Sequence, residues 1–168
     1  MEQKKKIILL AGPTASGKSK LALKLAKHYK GEIINADSMQ VYKEISILTS
    51  KPSHLDTKNI KHHLYSFKSV KDKFSTGHWL ELVIKKIEEQ WKNKKTPIVV
   101  GGTGLYFKAL TEGLVKIPEI PYKIRKETRK LHKKLGQKKF FSELLKIDPL
   151  AKNFVLPTDS HRSMRVYE

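Results

Sequence analysis

Short apolar runs alternate along the chain with stretches whose apolar residues recur every three or four positions. Three runs read as strands: Lys6 to Ala11, which carries Ile7-Ile8-Leu9-Leu10, then Glu32 to Ala36, then Pro97 to Val100. Helical patterns lie between and after them. Lys18 to Tyr29 is the first. In Gly77 to Lys94, Leu80, Ile84, Ile87 and Trp91 recur at helical spacing and are expected to face a core, which makes Trp79 and Trp91 packing residues rather than a stacking platform. Tyr106 to Leu114 reads as a further helix behind the Gly101-Gly102 turn. Strands that alternate with helices predict an α/β fold built on a parallel sheet. Such sheets bind ligands at the carboxyl ends of their strands. The loops after Leu10 and Asn35, and the Gly101-Gly102-Thr103 turn, occupy those ends.

The texture changes after Gly113. Pro118 and Pro121 interrupt the chain, and a basic, strand-free, helical stretch runs to about Lys146. Asp148-Pro149 begins another turn. Thr158-Asp159 is placed to cap a last helix that runs to Glu168. The expected division is an α/β core over 1–113, a basic helical insertion over 114–147, and over 148–168 the start of a segment returning to the core.

Composition narrows the options. The length suits one domain with a real core. Cysteine is absent from the 168 residues, which excludes a disulfide framework, a thiolate metal site and a cysteine nucleophile. No apolar run approaches the roughly 20 residues that span a bilayer. The charged start, Met1 to Lys6, with a short apolar run behind it, does not suit a signal peptide. A cytoplasmic monomer that avoids membranes is the expectation. The net charge of +19 suggests a polyanionic partner, although the preference for Lys over Arg also fits an AT-rich genome. Its distribution favours a partner. Lys123 to Lys139 holds Arg125, Lys126, Arg129, Lys130, Lys133, Lys134 and Lys138, against Glu127 alone. A helix this basic repels itself and is better tolerated against phosphates.

The sharpest chemical signal is Gly12-Pro13-Thr14-Ala15-Ser16-Gly17-Lys18-Ser19. It is G-x-x-x-x-G-K-[ST] between a strand and a helix, the context in which that pattern cradles a diphosphate or triphosphate. Gly12 and Gly17 can take backbone angles that turn successive N–H groups inward. The helix behind them adds free N–H groups and the positive end of its dipole. Lys18 supplies a full charge at the outer phosphate, and Ser19 is placed to reach a Mg²⁺ ion bridging two phosphate oxygens. A second constellation, Asn35 to Tyr42, follows the second strand. Asp37 there can hold a metal through water, accept a proton from a nucleophile, or merely cap a helix. The adjacent His62 and His63 point to opposite faces of a strand, so a structural hydrogen bond is expected rather than a paired metal site.

With these motifs the chain resembles the tRNA dimethylallyltransferase (tRNA isopentenyltransferase) family. The agreement is ordered along almost the whole chain: GPTASGKS at Gly12, NADSMQVYKE at Asn35, TSKP at Thr49, HHL at His62, PIVVGGTGLYFKAL at Pro97, DP at Asp148 and PTDSHRSMR at Pro157. The phosphate loop is shared by many proteins; its combination with DSMQVY and GGTGLYF is far more specific. The resemblance implies a P-loop NTPase-like sheet with a helical insertion. It also implies transfer of a dimethylallyl group from dimethylallyl diphosphate to N6 of the tRNA adenosine just 3′ of the anticodon. On this reading Gly12 to Ser19 bind the diphosphate, with Thr14 and Ser16 adding contacts. Mg²⁺ sits on Ser19. Lys18 and Thr14 act at the leaving group, and Asp37 takes the proton from the amine. The adenine must leave its stack to react. Asp37, Ser38, Met39 and Gln40 would read its edge. Thr103, Arg125 and the run His161, Arg162, Ser163, Met164, Arg165 look like further tRNA-contacting positions, and the basic helices match the insertion that grips the anticodon stem.

Departures from the family pattern are His161 in place of a usual Gln, Ser163 in place of an aliphatic residue, and Leu48 in place of Gly. Family chains are longer, and this one stops within a family motif, so a fragment, a truncated gene or a second polypeptide supplying the rest are the expectations. Two other functions fit parts of the pattern. A small-molecule or nucleotide kinase would share the phosphate loop but needs an arginine-bearing lid, and DSMQVY and GGTGLYF have no evident role in one. A non-catalytic tRNA-binding fragment would keep the basic surface without turnover.

Overall fold

Strand β1 (Ile8–Ala11) and helix α1 (Lys18–His28) flank the phosphate loop, and β2 (Glu32–Asn35) follows α1. Then come β3 (His62–His63), α2 (Thr76–Lys92), β4 (Pro97–Gly101) and α3 (Gly104–Glu112). The computed structural model describes residues 5–45, 51–52, 58–115 and 119–168. Leu48, Thr49 and Pro118, singled out from the sequence, lie outside those residues. The described chain divides into two compact units, Met1–Val115 and Lys116–Glu168.

In the first unit all strands are parallel and stand in the order β1–β4–β2–β3. This is the expected parallel α/β sheet, in a P-loop NTPase-like arrangement. β4 lies between β1 and β2, with Leu9 opposite Val99 on one side and Ile34 opposite Val99 on the other. The period-2 alternation of strand side chains then feeds two cores. Ile33, Ile98 and Val100 pack with Ala22 and Ala26 of α1. Ile34, Ala36 and Val99 pack on the other face with Trp79, Val83 and Ile87 of α2 and Tyr106 of α3. Two alanines four residues apart on α1 present a flat stripe that lets that helix lie close to the sheet.

β3 was not among the strands the apolar pattern predicts. It has only two residues, both histidines, and it is held by pairing Ile33 with His62 and Ile34 with His63. Nothing apolar marks it, because its place comes from a tertiary partner.

The second unit consists of α4 (Tyr122–Ile147), a 3₁₀ turn at Pro149–Asn153 and α5 (Ser160–Tyr167). Gly136 takes φ 70° within α4 and breaks it into two helical pieces. Asp159 caps α5 by accepting from the Arg162 N–H at 2.9 Å, as the sequence suggests. Residues 148–168 complete the second unit. They belong to this unit, because Ala151, Val155, Val166 and Tyr167 pack with Phe141 and Leu144 of α4. The first unit ends at Val115.

The tightest approach in the sheet is at Gly101. A Cβ there would lie 2.2 Å from both the carbonyl carbon and the oxygen of Ala36. Backbone, not a flexible side chain, occupies the space. Gly101→Ala is therefore expected to lower stability by about 3 kcal/mol, the upper range for overpacking. A urea unfolding midpoint equal to that of the parent would show that β2 and β4 part freely at their carboxyl ends.

Candidate active site

The loop between β1 and α1 has the curled form that the glycine spacing anticipates. Gly17 stands at the N-cap of α1 with φ 81°, a conformation open to glycine at little cost. Ala15 is also left-handed, at φ 63°. The Ser16 N–H reaches the Pro13 carbonyl at 3.4 Å, and the Lys18 ammonium folds across the loop to donate to the same carbonyl at 2.5 Å. No side chain caps α1, so its first N–H groups have no side-chain acceptor. That end of the helix is suited to an anion.

Thr14, Ser16, Lys18 and Ser19 line a cavity of about 440 Å³ behind this loop. Its inner wall is more apolar, with Ala22, Leu23, Ile33, Tyr65 and Val100. His62 and Pro52 complete the rim. A cavity lined by both charged and apolar side chains suits a phosphorylated ligand carrying a small hydrocarbon group.

Asp37 enters from the neighbouring strand end. Its position is set by Asn35, which is completely buried at the end of β2. The Asn35 side-chain oxygen accepts from the Asp37 N–H at 2.9 Å. Its amide nitrogen donates to the carbonyls of Asp37 at 2.9 Å and Leu64 at 3.1 Å. One Asp37 oxygen, Oδ1, accepts from the Met39 N–H at 2.9 Å, so the side chain organises the turn into Ser38, Met39 and Gln40. Oδ2 lies toward Gly102, whose missing Cβ would be 3.8 Å from it and 3.4 Å from the Gly12 carbonyl oxygen. The bare backbone of Gly102 thus separates the carboxylate from the first residue of the phosphate loop.

Thr103 locks this corner. Its hydroxyl accepts from the Ser38 N–H at 2.9 Å and lies 3.3 Å from the Ser38 hydroxyl. Its own N–H donates to the Ala36 carbonyl at 3.2 Å. Trp79 anchors the corner from below, donating its indole N–H to the Asn35 carbonyl at 2.8 Å and stacking on Tyr106 with centroids 4.2 Å apart. Burial, with the charges of Tyr42 and Asp37, pushes the Tyr106 phenol up to about 12. Burial and Asp37 push Tyr65 higher still. Both phenols therefore remain protonated donors at neutral pH.

Of the residues named from the sequence, 12–19, 37–40 and Thr103 all stand at the carboxyl ends of β1, β2 and β4. The histidines have separate partners: His63 meets Glu32 at 2.7 Å, and His62 Nδ1 lies 2.8 Å from the Ile60 carbonyl. Asn35 appears in the sequence motif but was given no role; a polar residue ending an apolar strand was the available signal. Lys51 was likewise noted without a role. It donates to the Tyr42 carbonyl and, at 2.8 Å, to Ser66, and partial burial lowers its pKa.

Arg125 and residues 161–165 belong to the second unit. Glu168 accepts from Arg165 at 3.1 Å and lies 3.9 Å from Arg125. His161, Arg162 and Arg165 are exposed and Met164 is half-buried. Ser163 is completely buried, donating to the Asp159 carbonyl at 2.6 Å and accepting from Gln137 at 3.0 Å. On α4, Lys123, Lys126, Arg129, Lys130, Lys133, Lys134 and Lys138 are all exposed, and none has an ion-pair partner among the described residues.

Asn35→Ala removes both sides of a three-bond clamp and leaves buried backbone groups without partners. A loss of about 2–3 kcal/mol in unfolding free energy is expected. If chemical denaturation shows less than half a kcal/mol, Asn35 is not what holds the Asp37 turn.

Comparison with known proteins agrees with this geometry. A family model described as IPP transferase matches residues 40–168. A tRNA dimethylallyltransferase of Pelagibacter ubique is 61% identical over the whole chain, which covers 54% of that protein. One from Rickettsia canadensis is 48% identical over 99% of the chain and 51% of its own length. The chain thus spans about half the length of the curated relatives it matches. Among solved structures, a eukaryotic dimethylallyltransferase acting on tRNA superposes with a TM-score of 0.81 at 32% identity, over 96% of this chain and 40% of that one. The full-length tRNA isopentenylpyrophosphate transferase of Bacillus halodurans gives 0.65 at 33% identity, over 98% and 55%.

Proposed function

The chain belongs to the IPP transferase family, and from that premise we propose that it modifies tRNA, moving a dimethylallyl group from dimethylallyl diphosphate to N6 of the adenosine 3′ of the anticodon. The observation that carries this reading is the pairing, across Gly102, of a phosphate loop with a carboxylate held on a separate clamp. A phosphate loop alone binds many ligands. A carboxylate beside it, fixed by Asn35 and Met39, supplies what an aromatic amine needs in order to act as a nucleophile.

The steps follow from the residues. The N–H groups of the phosphate loop and the Lys18 ammonium hold the diphosphate, and the apolar side chains of the cavity receive the hydrocarbon. The adenine enters unstacked, and the Ser38–Gln40 turn meets its edge. The N6 lone pair forms the new N–C bond as the C–O bond to diphosphate breaks. Asp37 accepts the proton from N6. Negative charge grows on the departing oxygen, where Lys18 and the loop N–H groups stabilise it most, and Thr14 can add its hydroxyl there.

Mg²⁺ fits the donor set as far as it goes. The Ser19 hydroxyl lines the cavity, and no cluster of three or more His, Cys, Asp or Glu stands among the described residues. Mg²⁺ is typically held by few protein oxygens together with substrate phosphates and water. When bound, it would add charge neutralisation on the phosphates. The exposed cations of α4, with Arg125, Arg162 and Arg165, form the proposed tRNA-facing surface of the second unit. A cytoplasmic setting belongs to the same proposal. No helix among the described residues is long and apolar enough to cross a membrane.

Incubation of the purified chain with Mg²⁺, dimethylallyl diphosphate and unmodified tRNA, followed by nucleoside digestion and mass analysis, is expected to yield N6-dimethylallyladenosine. The chain binding tRNA without forming that product would overturn the transferase reading. In the same assay Asp37→Ala is expected to reduce turnover on the order of 10²- to 10⁴-fold with tRNA affinity nearly intact. Unchanged turnover would remove Asp37 as the base. Replacing Lys130, Lys133 and Lys134 together by Ala should flatten the salt dependence of tRNA binding by about two units; an unaltered slope would assign that face to solvent.

A further inference from the structure

A second cavity of the first unit, about 590 Å³, lies apart from the phosphate-loop site. It lies at the amino ends of β1 and β4, the pole of the sheet opposite the catalytic loops. Among the described residues five lysines line it: Lys5 and Lys6 leading into β1, and Lys92, Lys94 and Lys95 leaving α2. Glu88 is the single acid on its wall among the described residues. All five lysines are exposed, and none has an ion-pair partner among the described residues.

A helix C-terminus attracts cations, which accounts for Lys92 and its neighbours. It does not account for Lys5 and Lys6, which arrive on a different segment and face the same concavity. Charges of one sign brought together from two segments raise the energy of the folded chain. A bound polyanion relieves that repulsion. Trp91 shapes the choice of polyanion. It lies half-buried in the cavity wall, and its indole N–H is fixed by the Lys6 carbonyl at 2.8 Å. The Lys5 ammonium stands 5.6 Å from the ring centroid. Trp91 thus departs from the purely packing role its spacing suggests, whereas Trp79 is completely buried. An aromatic ring among unpaired cations is the arrangement that single-stranded nucleic acids use: ammonium groups take phosphates as point charges, and a ring accepts a base or ribose face.

We propose that this pocket is a second RNA-backbone site, holding a single-stranded segment at the pole of the α/β unit opposite the phosphate loop. The inference rests on the reading that the chain handles RNA, but not on its transferring any group. Ammonium groups that discriminate no base make the site tolerant of sequence. Its contribution is affinity and orientation of a long substrate rather than recognition of the reacting base.

The test uses the full chain and a 12-residue oligouridylate, with Trp91 fluorescence as the readout because Trp79 is shielded from solvent. Saturable quenching at low salt is expected. Lys5, Lys6, Lys94 and Lys95 replaced together by Gln should weaken it by at least tenfold. The log–log salt slope should fall by about 3, from roughly 0.7 per lost single-strand contact. Diphosphate binding at the phosphate loop should stay unchanged, which shows that the variant is folded. Trp91→Phe should abolish the signal while filter binding persists. The same affinity and slope in the quadruple variant would overturn the proposal. So would quenching by inorganic polyphosphate without quenching by oligouridylate, which would make this a free-anion site. Group transfer does not enter the readout, so a failed prenyl-transfer assay is distinguishable from failure here.

Discussion

Everything at the carboxyl end of the sheet depends on how closely β2 and β4 approach each other there. A side chain at Gly101 would occupy the same space as the Ala36 carbonyl. Because it is absent, Ala36 can donate its N–H to Val100 at 2.8 Å and accept from Thr103 at 3.2 Å. Those two bonds carry the end of β2 directly against the start of the β4–α3 turn. Asp37 is the next residue along, and Gly102 the next on the other side. The distance between carboxylate and phosphate loop is therefore a backbone dimension. Backbone dimensions set by a parallel ladder vary little, whereas two long side chains reaching across a cleft would each need ordering. Chemistry that must bring a nucleophile, a proton acceptor and a leaving group into one line benefits from such a frame.

Asn35 shows how the frame is transmitted to Asp37. An apolar residue would be the simple choice for a fully buried strand end. Asparagine instead offers one acceptor and two donors, and the described contacts use both kinds on the turn that follows. A buried amide with its partners made is a rigid element; one left unmade is costly. Gln90 on α2 illustrates the contrast, since it is buried with no hydrogen-bond partner for either side-chain atom among the described residues. The polar group that stands near the chemistry is satisfied, and the one without partners lies on the helix behind it.

Much of this was legible in the sequence, for physical reasons that differ by residue. The phosphate loop announces itself because Gly17 needs a left-handed backbone and Lys18 needs a fixed place after it. The two faces of the sheet follow from alternation in Ile33-Ile34 and Ile98-Val99-Val100. The extended pair His62-His63 was read as lying on a strand, but its place at the sheet edge was not legible, because two histidines owe their conformation to pairing with β2. The role of Asn35 was invisible because a motif shows which residues recur without showing which of them turns inward. The burial of Ser163 was not legible either. Its neighbours on α5 are exposed and basic, but helical geometry turns every third or fourth residue to the core, and here that residue is a serine held by Gln137 and Asp159.

Charge poses the last question of design. A net charge of +19 on 168 residues spreads repulsion over the whole fold, and scattering the lysines evenly would minimise it. They are not evenly scattered. α4 carries its cations in an almost unbroken surface run with Glu127 as the lone acid in the Lys123–Lys139 stretch, and the amino-end pocket of the sheet collects five lysines against one acid among the described residues. Elsewhere acids sit three or four residues from lysines and pair with them, as Glu89 does with Lys86 and Glu143 with Lys146. A lysine-rich codon bias raises the number of lysines but does not choose which of them are left without acids. Isolated surface pairs of this kind contribute little stability, so folding alone gives small reason to place them in some stretches and leave them out of others. Concentrating unpaired charge is favourable when a multivalent anion displaces its counterions on binding, because each released ion adds entropy to association. The distribution is that of a protein whose least stable electrostatic arrangement is the free one.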